Sequence, residues 1–479
     1  APPGKIMYMW SLLGAAIVSL AQPPTSTRVL TLEEAVKLAL VENLNLQSSV
    51  DVVQGAMIGE NLAESRFNFK VTPSYERGFG ESSLLDQGVG LEVSKLLPFG
   101  TTITGGLRSD WAGSDLANAN ASAVSMRVTQ PLLRGFGKKT TEFDLVNSRR
   151  NLQSSERNLL LARQRLAVDV VSSYYNIVRQ AGLADVAQKS LDRNKELLRA
   201  SQARLEVGLA SKLDVFRAEL QLSQAEDAAI YRKEALELAL DSFKFNLGLA
   251  PTDDVALEMV EPEYQPVAVD LDAATALALQ NRIEMREEGD RIQDAQRSLS
   301  VSKQNLLPQV DLNLRYDRRG VGDSFSSSFH FIDNVFNFYL STSYPLDRSS
   351  ENASYAMTQI ELGARRRQLK LVEYNIVNEV RAAARNLERI GKSIVLQERN
   401  TDFAEKQLRL ATLRYQRGLA SNFDIIDAEN NLIQARSNYV SLVSDYHVAQ
   451  IELKRVTGTL DVEIEFAPGN FLPSARHHP

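Results

Sequence analysis

The sequence predicts a mainly α-helical protein that also contributes strands to a membrane β-barrel, built from two copies of one unit. Each copy is expected to combine a strand pair with a very long coiled-coil helical hairpin. Three observations lead to this fold class: a motif that recurs after 210 residues, two long runs without proline, and four segments that alternate apolar and polar residues. The chain has 479 residues, although length alone does not choose between several domains and one extended repeat.

The repeat is clearest around two similar turns. Residues 204–225 and 414–435 are identical at eleven of 22 positions, and both contain the segment Gly-Leu-Ala-Ser-x-x-Asp. A second match pairs the helix start at Leu32 with the one at Leu271. The predicted organisation is a first repeat at 22–261, a linker at 262–270, a second repeat at 271–467 and a C-terminal tail at 468–479.

Within each repeat, a helix is expected first, then strands, then the long hairpin. Thr31 and Glu34 form a capping-box pattern before the first helix, and Asp270 can cap the corresponding helix of the second repeat. Proline is absent for 119 residues after Pro131 and for 122 residues after Pro345, so helices there can be very long. The expected strands lie at about 66–132 and 308–346, and the expected hairpins at about 136–250 and 350–458. Apolar residues at seven-residue spacing, such as Leu396, Phe403 and Leu410, indicate coiled-coil-like packing.

The N-terminal residues are typical of a secretory signal peptide. Residues 1–21 hold one cation, Lys5, then an apolar run from Met7 to Leu20, and small residues before a cleavage site after Ala21. The run has about 14 apolar residues, whereas a membrane-spanning helix needs about 20. We therefore expect the chain to be exported.

The two Gly-Leu-Ala-Ser segments predict how each hairpin turns. Gly208 and Gly418 suit the left-handed conformation that ends a helix. Ser211 and Ser421 can then cap the next helix, with Asp214 and Asp424 at the third helical position beside its positive dipole end.

Four segments alternate in polarity over the 9–11 residues that a tilted strand needs to cross a bilayer. They begin near Phe67, Val124, Val310 and Phe336. Half-buried strands of a soluble sheet would give the same alternation. If the strands lie in a membrane, however, two pairs cannot close a barrel, and an open edge in lipid leaves backbone groups without partners. The barrel would then require several chains.

The first repeat carries an insertion at about residues 85–110. Val89, Leu91 and Val93 alternate there, and the segment Pro98-Phe99-Gly100 predicts a turn. Two interpretations stay open at this point: an extracellular extension, or two further strands in each chain.

Taken together, these motifs resemble the TolC family of outer-membrane efflux proteins. The resemblance rests on the paired Leu-x-x-Ala-x-x-Leu-Ala-Leu helix starts, on Gln130-Pro131-Leu132 and Tyr344-Pro345-Leu346, and on the two hairpin turns, and it covers about residues 30–460. It implies a homotrimer with a 12-stranded barrel in the outer membrane, four strands from each chain, and a helical tunnel across the periplasm. It also implies docking to a periplasmic adaptor and an inner-membrane pump.

The resemblance assigns roles to residues at the turns. The adaptor-docking tips would be Val207, Gly208, Leu209, Arg417, Gly418 and Leu419. Asp424 and Asp427 would form an acidic ring at the pore constriction, although simple helix capping by Asp424 and a solvated charge at Asp427 are the structural alternatives. Tyr415 matches a gating tyrosine, but Ala420 replaces its arginine partner, so Arg414 or Arg417 are the expected substitutes.

The expected function is therefore a passive exit duct of a tripartite efflux or type I secretion system, opened by adaptor docking. The alternative is a secreted coiled-coil scaffold of the cell envelope, which leaves the bilayer-length strands unexplained. The net charge of −6 argues against nucleic-acid binding, and the chain has no cysteine. His330 and His447 have no metal-ligand partner at helical spacing, so we expect no enzyme activity, cofactor or metal.

Overall fold

The structure is a computed structural model that describes residues 28–78, 87–111, 120–259 and 263–462. The predicted signal peptide and C-terminal tail lie outside these described residues, as do His477 and His478. The helices of the described part are α1 (Leu32–Glu42), α2 (Leu44–Ser65), α3 (Lys138–Thr141), α4 (Phe143–Glu206), α5 (Lys212–Leu247), α6 (Leu271–Asn281), α7 (Ile283–Asn305), α8 (Ser349–Gln416) and α9 (Asn422–Val456).

Two helices dominate the molecule. Helix α4 has 64 residues and α8 has 68, which corresponds to roughly 100 Å each at 1.5 Å per residue. Each is flanked along its length by two shorter helices: α4 by α2 and α5, and α8 by α7 and α9. Helix α4 also packs on α9, so the two helical hairpins form one continuous layer with α5 and α8 at its flanks.

The main buried core lies partway along this layer. There, α1 packs on α4 and α5 beside a two-stranded parallel sheet of β1 (Arg28–Leu30) and β6 (Val255–Leu257). Val36, Tyr174 and Phe243 are buried together in this cluster. The capping box of Thr31 and Glu34 is present at the start of α1, and the Asp270 carboxylate accepts hydrogen bonds from two backbone amides of α6.

The second sheet contains six antiparallel strands in the order β2-β3-β4-β5-β7-β8. They are β2 (Lys70–Arg77), β3 (Gln87–Leu96), β4 (Thr102–Trp111), β5 (Asn120–Pro131), β7 (Gln309–Gly322) and β8 (Asp333–Ser343). The insertion at 85–110 therefore forms two further strands, so the sheet of the described residues has six strands rather than the four that the family resemblance implies. The turn between β3 and β4 requires Gly100, whose φ is +93° and whose missing Cβ would lie 2.7 Å from the Gly135 carbonyl oxygen.

The strand register gives this sheet one apolar and one polar face. Cross-strand partners on one face include Val93 and Val71, Leu107 and Val124, and Leu314 and Phe338. The other face carries charged and amide side chains such as Glu92, Arg127, Asn313, Arg315 and Asp317. Many side chains of the apolar face are exposed in the single chain, among them Phe69, Val71, Phe336, Phe338 and Leu340. The described helices all join the sheet at one end, where β2 and β7 begin and β5 and β8 end.

None of the helices that the structure describes combines the length and the apolar content that a membrane crossing requires.

Candidate functional site at the hairpin tips

The two hairpin turns share one backbone conformation. Gly208 and Gly418 have φ values of +77° and +75°. The amides of Leu209 and Leu419 each donate to a carbonyl five residues earlier, at 2.8 Å in both turns. No heavy atom would lie within 4 Å of a Cβ at either glycine, so the positive φ, rather than lack of space, favours glycine there.

A capping box starts the helix that follows each turn. The Ser211 amide donates to the Asp214 carboxylate at 3.0 Å, and the Ser421 amide donates to the Asp424 carboxylate at 2.7 Å. Hydrogen bonds from the Ser211 hydroxyl and amide lower the pKa of Asp214. The Ser421 amide and hydroxyl likewise lower the pKa of Asp424. The ionised form of both carboxylates is therefore favoured, and it is the form that accepts the capping hydrogen bonds.

The tips also expose apolar side chains. Val207 and Leu209 project from the first turn, and Leu419 and Phe423 from the second, all more than half exposed. Arg417 is exposed beside them. Because isolated exposed apolar residues are common, only their clustering at two matching turns makes this surface a candidate for docking.

Asp427 differs from Asp424 in its contacts. It lies one turn further along α9, is exposed, and accepts a single long hydrogen bond of 3.4 Å from the Asn431 amide. At the matching place in the first hairpin, Arg217 lies 3.9 Å from the Asp214 carboxylate. The second tip is therefore the more acidic of the two.

Tyr415 is buried against the first hairpin. Its hydroxyl lies 3.3 Å from the Ser201 hydroxyl, and the Arg204 guanidinium lies 4.1 Å from the centre of its ring. Arg414 instead donates to the Leu419 carbonyl, and Arg417 is exposed. Within the chain, the arginine in contact with Tyr415 is Arg204 of α4, and the gating role expected of Arg414 or Arg417 stays a prediction. Arg414 and Arg417 are both exposed, whereas the Tyr415 ring is buried between the two hairpins.

Further bonds join the two hairpins near the tips. Arg193 of α4 makes a two-pronged ion pair with Glu429 of α9, with N–O distances of 2.7–2.9 Å. The Asn422 side-chain amide donates to the Asp214 carbonyl at 2.9 Å. These contacts link residues about 200 positions apart, and no sequence pattern pointed to them.

The described residues contain no group of three or more His, Cys, Asp or Glu side chains placed to hold a metal ion. His447 lies in the α4–α9 seam, where its ring stacks on Tyr175 with centroids 5.0 Å apart. Burial lowers the pKa of His447, although hydrogen bonds to the Glu263 backbone and the Gln450 side chain partly offset that effect.

The chain combines a layer of helices roughly 100 Å long with a sheet at one end whose apolar face is uncovered. This combination is typical of a channel protein that spans the cell envelope. Comparisons with known proteins give the particular family. The sequence pattern of the outer membrane efflux protein family matches residues 87–248 and 275–459. The chain therefore belongs to that family.

Relatives and solved structures agree with this assignment. The outer membrane efflux protein BepC of Brucella suis is 22% identical over 348 residues, covering 71% of this chain and 73% of BepC. The cation efflux system protein CusC of Escherichia coli is 20% identical over 330 residues, covering 66% of this chain and 71% of CusC. A crystal structure of CusC matches with a TM-score of 0.68 at 17% identity, over 92% of this chain and 95% of that one. The outer membrane protein VceC of Vibrio cholerae matches with a TM-score of 0.69 at 15% identity, over 89% and 96%.

The protein is accordingly an efflux exit duct of the outer membrane, with its helices in the periplasm. The family and the fold are those of channel proteins. The scaffold alternative is set aside, because the family match covers both repeats.

Proposed function

We propose that three copies of the chain form a passive trimeric channel-tunnel that docks to a periplasmic adaptor and, through it, to an inner-membrane pump of a tripartite efflux or type I secretion system. The observation that carries this proposal is that both flanks of the single chain are apolar and uncovered. On the α8 flank, Leu396, Phe403 and Leu410 are all more than half exposed. On the α5 flank, Phe216 and Tyr231 are also more than half exposed.

These flanks explain the seven-residue spacing seen in the sequence. Leu396, Phe403 and Leu410 stay more than half exposed to the rest of the described chain, so the stripe is available to the α5 flank of another copy. Burial of a large apolar side chain contributes about 1.5–3 kcal/mol, and each interface would bury several. Association of copies is thus the expected state of the helical layer.

The sheet supports the same arrangement. Its edge strands, β2 and β8, run in opposite directions, so β8 of one copy can pair antiparallel with β2 of the next. Three copies would close a barrel of eighteen strands rather than twelve. At a spacing of about 4.8 Å and a tilt of about 40°, the backbone circle would be roughly 36 Å across, against roughly 24 Å for twelve strands. That width is comparable to a ring of twelve helices packed about 9–10 Å apart.

The narrow end of the tunnel would lie at the hairpin tips. Three copies of Asp424 and Asp427 would place carboxylates around one axis, attracting cations until the tips move apart. The exposed tip residues Val207, Gly208, Leu209, Arg417, Gly418 and Leu419 would be the docking surface for the adaptor. Opening requires the contacts of Tyr415 and Glu429 with the first hairpin to rearrange.

The assembly is tested by native mass spectrometry of the detergent-purified protein. A trimer of the full chain would have a mass of about 160 kDa, three times 53.2 kDa. A monomer that is stable in buffer without detergent would contradict the proposal.

The eighteen-strand wall has its own test by spin labelling, because the chain has no cysteine to remove. Labels at Leu91 and at Glu92 occupy adjacent positions on opposite faces of β3. If β3 lies in the barrel wall, the label at Leu91 will be accessible to oxygen in lipid and the label at Glu92 to a water-soluble nickel reagent. Equal access of the nickel reagent to both labels would show that β3 and β4 project outside the membrane.

A further inference from the structure

The connection between β7 and β8, residues 323–332, folds back onto the apolar face of the sheet, and we call it the outer clip. It lies at the end of the sheet opposite the helices. Three phenylalanines form a ring cluster within it: Phe325 and Phe329 have centroids 5.1 Å apart, and Phe329 and Phe331 have centroids 6.2 Å apart, both edge-to-face. Phe325 and Ile332 are more than half exposed.

The clip is fixed in place by a chain of buried hydroxyl groups. Ser328 in the clip bonds to Ser122 of β5 at 2.6 Å, and Ser122 bonds to Ser109 of β4 at 2.9 Å. All three serines are buried. A Cβ at Gly320 would lie 2.2 Å from the Ser328 carbonyl oxygen, so only glycine lets the clip lie this close to β7.

The strand register shows which surface the clip covers. Ser122 and Gly320 are cross-strand partners on the same face as Val124 and Tyr316, which is the apolar face. The clip therefore covers polar groups of this face with phenylalanine rings and extends the apolar band toward the end of the sheet. Along β7, the eight steps from Val310 to Arg318 span roughly 26 Å, which corresponds to roughly 20 Å of height at a strand tilt of about 40°, against an apolar height of about 25 Å in outer-membrane barrels.

Near the outer end of this band lies a cation, Arg318, that has no acidic partner among the residues that the structure describes. Arg318 lies on the apolar face, with its guanidinium 5.4 Å from the centre of the Phe331 ring. Its Nε is buried and has no hydrogen-bond partner among the described residues, where Arg318 also forms no ion pair. A guanidinium at the edge of an apolar band requires an anion or water for its remaining donors.

We propose that Arg318 and the outer clip form a binding site for the phosphate of an anionic lipid in the outer leaflet. The proposal rests on the proposed barrel, which places this face against lipid. The guanidinium would bind the phosphate through charge-assisted hydrogen bonds, while the rings of Phe325, Phe329 and Phe331 lie among the upper acyl chains and the headgroups. A lipid fits better than a protein partner, because the site continues a face that is apolar from Val310 to Tyr316 along β7.

The test is retention of phosphatidylglycerol by the detergent-purified assembly, measured by native mass spectrometry. Arg318→Gln should weaken retention about tenfold relative to the unaltered protein. Arg319→Gln is the matched control, since the neighbouring residue lies on the polar face opposite Asp333, and it should retain lipid normally. Equal retention by both variants would overturn the site. Displacement of the lipid by millimolar inorganic phosphate would show a phosphate site rather than a lipid site and would also overturn it.

A second measurement does not depend on lipid identity. In a background with both tryptophans, Trp10 and Trp111, changed to phenylalanine, Phe331→Trp should be quenched by brominated lipid and protected from acrylamide. Asn337→Trp, on the polar face, should show the reverse. If the oligomer forms but Phe331→Trp behaves like Asn337→Trp, the clip inference fails while the proposed channel stands. If no oligomer forms, the proposed channel fails first.

Discussion

The guanidinium of Arg204 stacks on the ring of Tyr415 at 4.1 Å and thereby joins the two helical hairpins just above their tips. The same guanidinium donates to the Gln416 carbonyl at 3.0 Å. One side chain of α4 therefore contacts both the side chain of Tyr415 and the backbone at the end of α8. Movement of the second tip away from the first must break both contacts.

Arg204→Ala is expected to favour the open channel. Loss of this partly shielded cation–π contact should destabilise the closed state by about 1–2 kcal/mol in each chain. The open fraction should therefore rise about tenfold or more. The measurement is single-channel conductance in planar bilayers. Tyr415→Phe should have a smaller effect, because it keeps the ring and removes only the 3.3 Å contact with Ser201.

Arg199→Ala serves as the control for this comparison, since Arg199 is an exposed residue of the same helix. It should leave conductance unchanged. If Arg204→Ala assembles normally and conducts like Arg199→Ala, the Arg204–Tyr415 contact does not hold the tips together.

The ion pair of Arg193 and Glu429 should respond unequally to loss of either partner. The Glu429 side chain is 3% exposed and that of Arg193 is 32% exposed. Arg193→Ala leaves a buried carboxylate without its partner, and breaking such a pair costs about 3–5 kcal/mol. Glu429→Ala leaves a guanidinium that water can reach, so the free energy of unfolding should fall by less.

Thermal unfolding of the detergent-purified protein, followed by helical circular dichroism, compares these two variants. Replacement of both residues, Arg193→Met with Glu429→Leu, should recover much of the loss, because apolar side chains of similar size can replace a buried ion pair. Equal melting temperatures for the two single alanine variants would show that the burial of Glu429 does not set the cost of losing its partner.

Local chemistry explains why the tips could be predicted from the sequence. A left-handed glycine, a serine cap and an aspartate three residues after the serine each act on neighbouring residues of the chain. Gly418, Ser421 and Asp424 are therefore enough to predict the turn. The contacts of Tyr415 and Glu429 depend on how α8 and α9 pack on α4. No periodicity within one helix specifies a partner on another.

The strands β3 and β4 stayed ambiguous in the sequence because glycines interrupt their polar face. Gly88 and Gly90 leave room for cross-strand neighbours, since a Cβ would lie 2.1 Å from the Asp110 carboxylate and 2.6 Å from the Ser74 hydroxyl, respectively. A missing side chain weakens the alternation that marks a strand, although it is what lets the larger neighbours fit. The six-stranded sheet therefore became evident only from the pairing.

His447 should make stability depend on pH. Burial lowers its pKa in the folded chain, so below the ordinary value of about 6.5 the unfolded chain binds more protons than the folded one. The contribution of neutral His447 to the free energy of unfolding is complete above about pH 6.5. It is lost as the pH falls toward the lower pKa that His447 has in the folded chain. The melting temperature should therefore drop between pH 7.5 and 5.5 by more in the unaltered protein than in His447→Phe, which keeps the stack on Tyr175. His330→Gln, at an exposed position of the outer clip, is the control and should show the same drop as the unaltered protein.

Substitutions of Asp427 and of Asp424 should have different effects on ion flow, because only Asp424 is held in a capping box. If both line the constriction, Asp427→Ala should raise conductance and weaken block by divalent cations without loosening the turn, since fewer carboxylates then hold blocking cations at the axis.

Asp214→Asn is the matched control for Asp424→Asn, because both aspartates cap a helix in the same way and only Asp424 is assigned to the ring. Both changes weaken a cap, so any shared effect on conductance reports tip rigidity rather than charge at the pore. A loss of divalent block in Asp424→Asn but not in Asp214→Asn would place the second tip at the axis. Unchanged block in Asp427→Ala would instead leave its carboxylate as a solvated charge on the outside of α9, and the constriction would have to be sought elsewhere along the tunnel.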